Sequence, residues 1–479
     1  MHPIPWNLDF AQSPTPQYKE ALIKRPCIPT LVHRFTDAPY TLSIPHSPLP
    51  TPQVPMTATH PTPATTPSSS LSPLTVDVAI VGGGIVGLTL AAALRPSGLR
   101  VAVIEAQTPA AAASRQRAYA FSPTSADIMK GLGLWPQVGP RISHFRQVRL
   151  SDGDHPEVVT FSPQDLGDES VFYGAEHGVL MEALQGAVQA AANIHYLSET
   201  TLTVTERHGE RVIGTLTPPE GTRTLEAALV VAADGKQSPL RRQANIDAFG
   251  WQYWQSCITT VLEPEGDHQA TAYERFWPSG PFAILPLPGG RCQVVWTSPH
   301  EEAQAILNLP EAEFMAELER RYGSHMGKLK RLTPPALFPV QLMQCDRYIQ
   351  PRLALVGDAA HSCHPVGGQG LNMGLRDAAA LAEVLTAAHQ KGEDLGAVTV
   401  LRRYERWRRW ENWVILSFTD TLTRSFSNQI PPIVALRRLG LWVLNHVSPL
   451  RHLALRLMTG RLGRVPKLAL QGRQVRDDT

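Results

Sequence analysis

The stretch that most constrains the fold is a strand pattern joined to a helix pattern by glycines. Val76–Val81 (VDVAIV) is a buried-strand pattern, Gly82–Gly87 reads GGGIVG, and a helix pattern follows through Arg95. A second apolar run ends at Glu105, 18 positions after the last of these glycines. This order predicts a βαβ unit that binds a pyrophosphate at the helix N-terminus and an adenosine ribose at the acid. The glycines predicted to contact the pyrophosphate are Gly82, Gly84 and Gly87.

A second strand-to-helix junction lies far along the chain. The apolar run Leu353–Val356 ends at Gly357-Asp358, a loop rich in His and Gly follows, and a helix pattern begins near Asn372. The glycines at 367, 368 and 370 allow backbone to approach a bound group, and the helix N-terminus directs free N–H groups towards it. Asp358 adds an acceptor for hydroxyls of a sugar alcohol. We therefore predict a loop that holds a large, partly anionic ligand rather than a turn that only packs.

A third strand end completes the pattern. Ala228–Ala233 is followed by Asp234-Gly235, and Ser238-Pro239 then starts a helix. Alone, this is an ordinary turn, but with the other two junctions it indicates one dinucleotide site with three walls. The sequence has no second GxGxxG motif for a separate nicotinamide-nucleotide domain, which favours FAD as the resident cofactor over NAD.

The nucleotide-binding pattern is interrupted and then resumes, which predicts an inserted domain. Residues 250–300 alternate or run apolar between short turns, as in an antiparallel meander. We assign residues 75–248 and 340–400 to a discontinuous FAD-binding domain, 249–339 to a sheet that closes over the cofactor, and 401–479 to a helical region.

The N-terminal segment differs from the rest. Residues 1–74 hold 16 of the 42 prolines and lack an apolar pattern that could offset the ordering entropy. Three interpretations stay open: a disordered Pro/Ser/Thr-rich extension, a targeting peptide, or a start codon assigned too early, with Met56 as the true start. The absence of a continuous apolar signal core disfavours targeting.

Composition excludes several functions. The net charge of +2 gives no nucleic-acid signal, and the five scattered cysteines form no CxxC pair, so neither a disulfide framework nor a metal site is expected. No apolar run reaches the ~20 residues of a membrane span. We expect a cytoplasmic protein with no nucleic-acid partner.

The C-terminal helices carry 15 Lys/Arg against 5 Asp/Glu, interleaved with Trp and Leu. One interpretation is peripheral contact of residues 401–479 with the anionic inner face of a membrane. The other, equally favoured, is the solvated face of packed helices.

Together the motifs resemble class A flavoprotein aromatic monooxygenases, most closely the ubiquinone-biosynthesis hydroxylase family, from about Val76 to Gly463. The resemblance rests on Gly82–Gly87 with Glu105, on Asp234-Gly235-x-x-Ser238-x-x-Arg241, and on Gly357–Asp377 with its His364-Pro365 and Gly368-Gln369-Gly370-Leu371-Asn372. Tyr273–Phe276 and Gly280–Pro288 also resemble the substrate sheet of that branch. Gly367 stands where the family usually has Ala.

The resemblance implies an α/β fold, with an FAD-binding Rossmann-like domain of the glutathione-reductase type, an inserted antiparallel substrate sheet and a helical C-terminal region. It also implies family chemistry: NAD(P)H reduces FAD, O2 forms a flavin C4a-hydroperoxide, and its distal oxygen passes to a phenolic ring. The implied substrate is a lipophilic aromatic compound such as a polyprenylated quinone precursor. A complex with other quinone-biosynthesis proteins is a further implied partner.

Roles at the site follow from the same resemblance. Arg117 matches the position near the FAD diphosphate, Asp234 and Gly235 belong to a motif linked to FAD and NAD(P)H, and Asp358 binds the ribityl chain or diphosphate. The residues expected against the flavin pyrimidine edge are Gly370, Leu371 and Asn372.

The implied ring pocket, which supplies our catalytic candidates, consists of His364, Pro365 and Gly367, with Val366 and part of the Phe282–Pro286 strand. His364 is either a proton relay or a structural residue. We favour the structural role because the hydroxybenzoate branch of the family has an apolar residue there. No residue stands out as a general base.

Three rival functions stay open: a same-fold hydroxylase of a soluble aromatic metabolite, a non-catalytic FAD-binding subunit of a quinone-biosynthesis complex, and a flavin reductase or dehydrogenase of isoprenoid chains. The form of the loop that contains His361 argues against the last by resemblance alone.

Overall fold

The computed structural model describes residues 33–34 and 70–477, apart from 154, 324 and 325. Most of the predicted N-terminal extension therefore lies outside the described residues. In chain order, the strands are β1 (His33–Arg34), β2 (Ser70–Val81), β3 (Val101–Ile104), β4 (Ala118–Phe121), β5 (Ser143–His144), β6 (Gln147–Ser151), β7 (Val158–Phe161), β8 (Tyr173–Glu176), β9 (Ile194–Leu197), β10 (Thr201–His208), β11 (Arg211–Thr217), β12 (Thr222–Ala232), β13 (Ala248–Pro264), β14 (Thr271–Trp277), β15 (Gly280–Pro286), β16 (Cys292–Pro299), β17 (Leu329–Arg331), β18 (Ala336–Cys345), β19 (Ile349–Gln350), β20 (Leu353–Leu355) and β21 (His361–Ser362).

The helices, in the same order, are α1 (Ile85–Leu94), α2 (Pro109–Ala113), α3 (Pro123–Gly131), α4 (Trp135–Val138), α5 (His177–Gln189), α6 (Pro239–Gln243), α7 (His300–Leu307), α8 (Glu311–Tyr322), α9 (Gln369–Gln390), α10 (Val398–Phe426), α11 (Pro431–His446), α12 (Ser448–Met458) and α13 (Lys467–Asp477). Of the helices described, none is long and apolar enough to cross a bilayer.

A mostly parallel sheet forms the nucleotide-binding half. Its parallel strands run in the order β20-β12-β2-β3-β9, and β10 and β11 extend it antiparallel beyond β12. The central strands are apolar without alternation because helices cover both faces. The first strand begins at Ser70 rather than Val76, since its early residues pair with the start of β12.

The second sheet is mainly antiparallel and runs β21-β18-β13-β16-β15-β14-β6-β7. The predicted meander supplies β13–β16, while β6 and β7 join from residues that we assigned to the FAD-binding segment. The predicted fold class, with its inserted sheet and helical C-terminal region, is confirmed. The exact domain limits stay a prediction.

One buried carboxylate connects the second ligand loop to two helices. Asp377 on α9 accepts hydrogen bonds from His361 Nε2 (2.6 Å) and Gly357 N–H (3.2 Å). Its other oxygen accepts from Arg408 Nε (2.8 Å) and Asn412 Nδ2 (3.0 Å) on α10. Burial alone would raise the pKa of Asp377, but His361 and Arg408 reverse that effect and hold it below its usual range. The ionised carboxylate is therefore part of the folded structure.

Replacing Arg408 by Leu leaves this carboxylate buried without its cation. We expect the free energy of unfolding to fall by about 3–5 kcal/mol. Arg403→Leu is the matched control, since Arg403 pairs with Glu393 at the surface of the same helix, and its midpoint should hardly move. Denaturant unfolding measures both, and equal losses would contradict the role given to Asp377.

Candidate active site

The GGGIVG turn is closed by its outer glycines and open at its middle one. Gly82 has φ +110°, and a Cβ on Gly87 would lie 2.0 Å from the Gly82 carbonyl oxygen. At Gly84, by contrast, no protein atom lies within 4 Å of the position of a Cβ. The outer glycines therefore make the turn, and the middle one leaves room for a ligand.

The acid that ends β3 lies against this turn. Glu105 Oε2 accepts a hydrogen bond from Gly83 N–H (2.7 Å), and Oε1 accepts from Gln107 N–H (2.9 Å). The carboxylate is thus held beside the glycine turn, at the position predicted for a ribose contact.

The second strand end meets the first. The carbonyl oxygen of Ala233 lies 2.3 Å from the position that a Cβ of Gly82 would take. Asp234 Oδ2 accepts from Leu240 N–H (3.3 Å), whereas Oδ1 is buried without a protein partner. Burial raises the pKa of this carboxyl. Gly235 (φ +84°) again has open space where a side chain would stand.

The third strand end lies beside the other two, and we call the ligand-facing edge formed by the three junctions the glycine cradle. Val86 of α1 packs against both Gly357 and Gly374, so the first and third junctions are in contact. Asp358 is exposed, and α9 starts after Gly368 (φ +60°) without a side-chain cap. Its first turn can therefore stabilise an electron-rich group.

The three junctions line one cavity of about 1120 Å³. Two open glycines and an uncapped helix end suit a dinucleotide such as FAD, which carries a diphosphate. The predicted site residues that line the cavity are Gly84, Arg117, Gly235, Asp358, Pro365, Gly367, Gly370 and Leu371. The predicted residues outside its lining are Gly82, Gly87, Glu105, Asp234, His364 and Asn372.

Asn372 and His364 form hydrogen bonds within the protein and do not line the cavity. Asn372 Oδ1 accepts from Ser122 N–H and Ser125 Oγ, and Nδ2 donates to two carbonyl oxygens, so its hydrogen bonds hold the loop.

His364 is fully buried: Nδ1 accepts from Val366 N–H (3.1 Å), and Nε2 then donates to Gln255 Oε1 (3.3 Å). Burial lowers its pKa to about 3, so the ring is neutral. These contacts suit the structural role that we favoured for His364 over a proton relay, and the choice between the two roles stays a prediction.

Beyond the glycines the cavity becomes an apolar chamber. Ala283 and Leu285 of β15 line it, while Phe282 and Ile284 point to the other side of the sheet, against the core around Trp296. Only alternate residues of the predicted strand therefore contact the chamber. The C-terminal helices close it, which the sequence did not predict. Their lining residues include Leu422, Phe426, Leu436, Leu441, Leu450, Leu453, Leu455 and Met458.

Lys236 and Glu274 also line the cavity, as do Arg115 and Arg437, and none of these four charged residues was among the predicted site residues. Burial lowers the pKa of Lys236, and Asp358 partly opposes that effect. Glu274 lies between Ala272 and Phe276 at a spacing of two, so strand alternation already placed a carboxyl on an apolar face.

The basic C-terminal pattern is largely neutralised inside the protein. Arg408 pairs with Asp377, Arg437 with Asp152, and Arg451 with Asp165. The helix α11 also exposes large apolar side chains: Leu436 is 68% exposed and Leu439 55%.

Comparison with known proteins agrees with this geometry. A family model described as FAD binding domain matches residues 75–419. The protein slr1300 of Synechocystis sp. is 48% identical over 406 residues, covering 84% of this chain and 97% of its own. Ubiquinone hydroxylase UbiL of Rhodospirillum rubrum is 38% identical over 422 residues, covering 87% and 97%. The solved structure of p-nitrophenol 4-monooxygenase PnpA from Pseudomonas putida shares the fold, with a TM-score of 0.69, 21% identity, and coverage of 82% of this chain and 99% of that one.

Gly84→Ala separates cofactor binding from folding. The φ of −76° suits alanine and the methyl group enters empty space, so the stability of the apoprotein should hardly change. In the loaded protein the methyl group occupies ligand space, and FAD binding should weaken by about 1–3 kcal/mol. Gly87→Ala is the contrast, because its methyl group meets backbone and should prevent folding. FAD titration and apoprotein unfolding measure both; normal FAD affinity in Gly84→Ala would argue against this site.

Proposed function

Since the chain belongs to the FAD-dependent aromatic monooxygenases related to the ubiquinone-biosynthesis hydroxylases, we propose that it hydroxylates the ring of a polyprenylated phenol, a precursor of a quinone. The observation that carries this proposal is the continuity of the cavity. It runs from the glycine cradle into an apolar chamber that reaches exposed leucines of α11 and α12. That shape suits a polar ring held at one end and a hydrocarbon chain at the other.

FAD is the cofactor of this family, and when bound and reduced by NAD(P)H it activates O2 for transfer of one oxygen atom. Gly84, Gly235, Asp358 and Gly370 are the residues that would hold it. The chain's own contribution is to orient the ring beside Pro365 and Gly367 and to exclude water with the chamber walls.

The hydrocarbon chain supplies the binding energy. Each buried CH2 is worth about 0.8 kcal/mol, so affinity should rise steeply with prenyl length until the chamber is filled. A small soluble phenol would bury only its ring.

The direct test is turnover by the FAD-loaded protein with NAD(P)H, isotopically labelled O2 and phenols of increasing prenyl length. We expect one labelled oxygen on the ring and a KM that falls with chain length. Equal turnover of unprenylated phenols would favour the soluble-metabolite hydroxylase. Intact FAD binding without product under any reductant would favour a non-catalytic subunit. Deletion of the gene, followed by mass analysis of accumulated prenylated phenols, identifies the physiological substrate.

We also propose that α11 and α12 rest on a lipid surface, from which the substrate enters. Leu436, Leu450 and Leu453 are exposed and also line the cavity, so its mouth is apolar. Because the arginines are largely paired, the contact depends on apolar burial more than on charge.

Vesicle flotation tests this contact. Wild-type protein should bind neutral vesicles almost as well as anionic ones, and Leu439→Glu with Trp442→Glu should remove most binding. Both residues are exposed and neither lines the cavity. Leu332→Glu, at another exposed leucine, is the control. No binding to either vesicle at low salt would remove the lipid contact from the proposal.

A further inference from the structure

A carboxyl group lies in the apolar wall of the chamber. On β14, Ala272, Glu274 and Phe276 share the face that lines the cavity. The residues opposite Glu274 in the sheet are Leu150 on β6 and Ala283 on β15, both of which also line it. A carboxylate with only a structural role would cost free energy here, because apolar side chains cannot replace the hydrogen bonds that it forms with water.

Glu274 shares this cavity with the loop that starts α9. Pro365, Val366 and Gly367 of that loop line the same cavity as Glu274. Gly367 stands three residues before Gly370, which belongs to the cofactor cradle. Glu274 therefore lies where the cradle and the chamber meet, and a ring beside Pro365 and Gly367 comes next to it.

The other charged groups of the lining are engaged elsewhere. Among described lining residues, the second carboxylate is Asp358, which interacts electrostatically with Lys236. Asp358, Arg115 and Arg117 also interact electrostatically with Tyr119. Arg437 of α11 pairs with Asp152. The next residue on β14, Arg275, donates to the carbonyl oxygen of Arg321.

Burial raises the pKa of Glu274 to about 7, and the nearby backbone of Gly367 opposes that effect only in part. The carboxyl is therefore protonated below about pH 7 and becomes a base above it. A pKa near the working pH is what general-base catalysis requires.

We propose that Glu274 binds the ring hydroxyl of the phenol and accepts its proton as the ring is oxidised; this inference rests on the proposed function. The phenol O–H bond breaks, its electron pair stays on the phenol oxygen, and an O–H bond forms on the carboxylate. The ring becomes more electron-rich, and the total charge of the pair does not change. The inference adds a specificity: the chamber takes a free phenol and discriminates against its ether.

Equilibrium binding to FAD-loaded protein without reductant tests this directly, with changes in flavin absorbance as the readout. The probes are a long-chain alkylphenol and its methyl ether. Above pH 7, wild-type protein should bind the phenol about tenfold or more tighter than the ether, as expected for a hydrogen bond to a charged acceptor. Below pH 7 that preference should fall.

Glu274→Gln should remove the preference and its pH dependence, because an amide can donate to the ether as well as accept from the phenol. Glu263→Gln is the matched control, since Glu263 pairs with Lys330 at the surface of the same sheet. Should Glu274→Gln not fold, the pH dependence of the wild-type preference still decides the matter.

Kinetics give a second readout. The acidic limb of the wild-type kcat profile should lie near pH 7, and Glu274→Gln should lower kcat by roughly 10²–10⁴-fold and lose that limb. Equal binding of phenol and ether, with turnover intact, overturns the role of Glu274 and leaves the proposed function standing. Binding of neither probe overturns both.

Discussion

The parallel pairing of β2, β12 and β20 is the constraint on which the site depends. In that register Val81, Ala232 and Leu355 lie side by side, so the residues after each strand emerge at one edge. Gly82 packs closely against the Ala233 carbonyl, which holds two of the strand ends together. Asp377 of α9 forms hydrogen bonds with Gly357 at the third strand end and with Arg408 of α10. Three loops that are remote in sequence therefore surround one cavity.

The same cavity joins two environments with opposite requirements. Its cradle end uses backbone N–H groups, glycines and the exposed Asp358, which suit a polar cofactor. Its chamber end is apolar and is closed by helices that come last in the chain. Glu274 lies at their junction, where burial gives a carboxyl a pKa close to neutrality. The proposed hydroxylation of a hydrophobic ring depends on this contrast in environment rather than on any single residue.

The C-terminal region shows how tertiary contacts change the meaning of a charge pattern. An excess of arginine in the sequence suggested an anionic surface, yet Asp152, Asp165 and Asp377 lie outside that region and neutralise arginines within it. Once these pairs form, the outer faces of α11 and α12 are mainly apolar. The proposed lipid contact is therefore hydrophobic in origin.

Local pattern determined the fold class, the glycine turns and the strand ends, because strand and helix periodicities and glycine chemistry are short-range properties. It also indicated FAD, since the three junctions each had the form of a dinucleotide wall. Tertiary structure decided which candidates line the cavity. His364 and Asn372 lie within the motif, but their side chains form hydrogen bonds to distant segments. His364 contacts Gln255, and Asn372 contacts Ser122 and Ser125. Glu274 lies in Tyr273–Phe276, which resembles the substrate sheet of the family, but its chemistry comes from the walls packed around it, because burial is a property of the assembled fold and not of the neighbouring sequence.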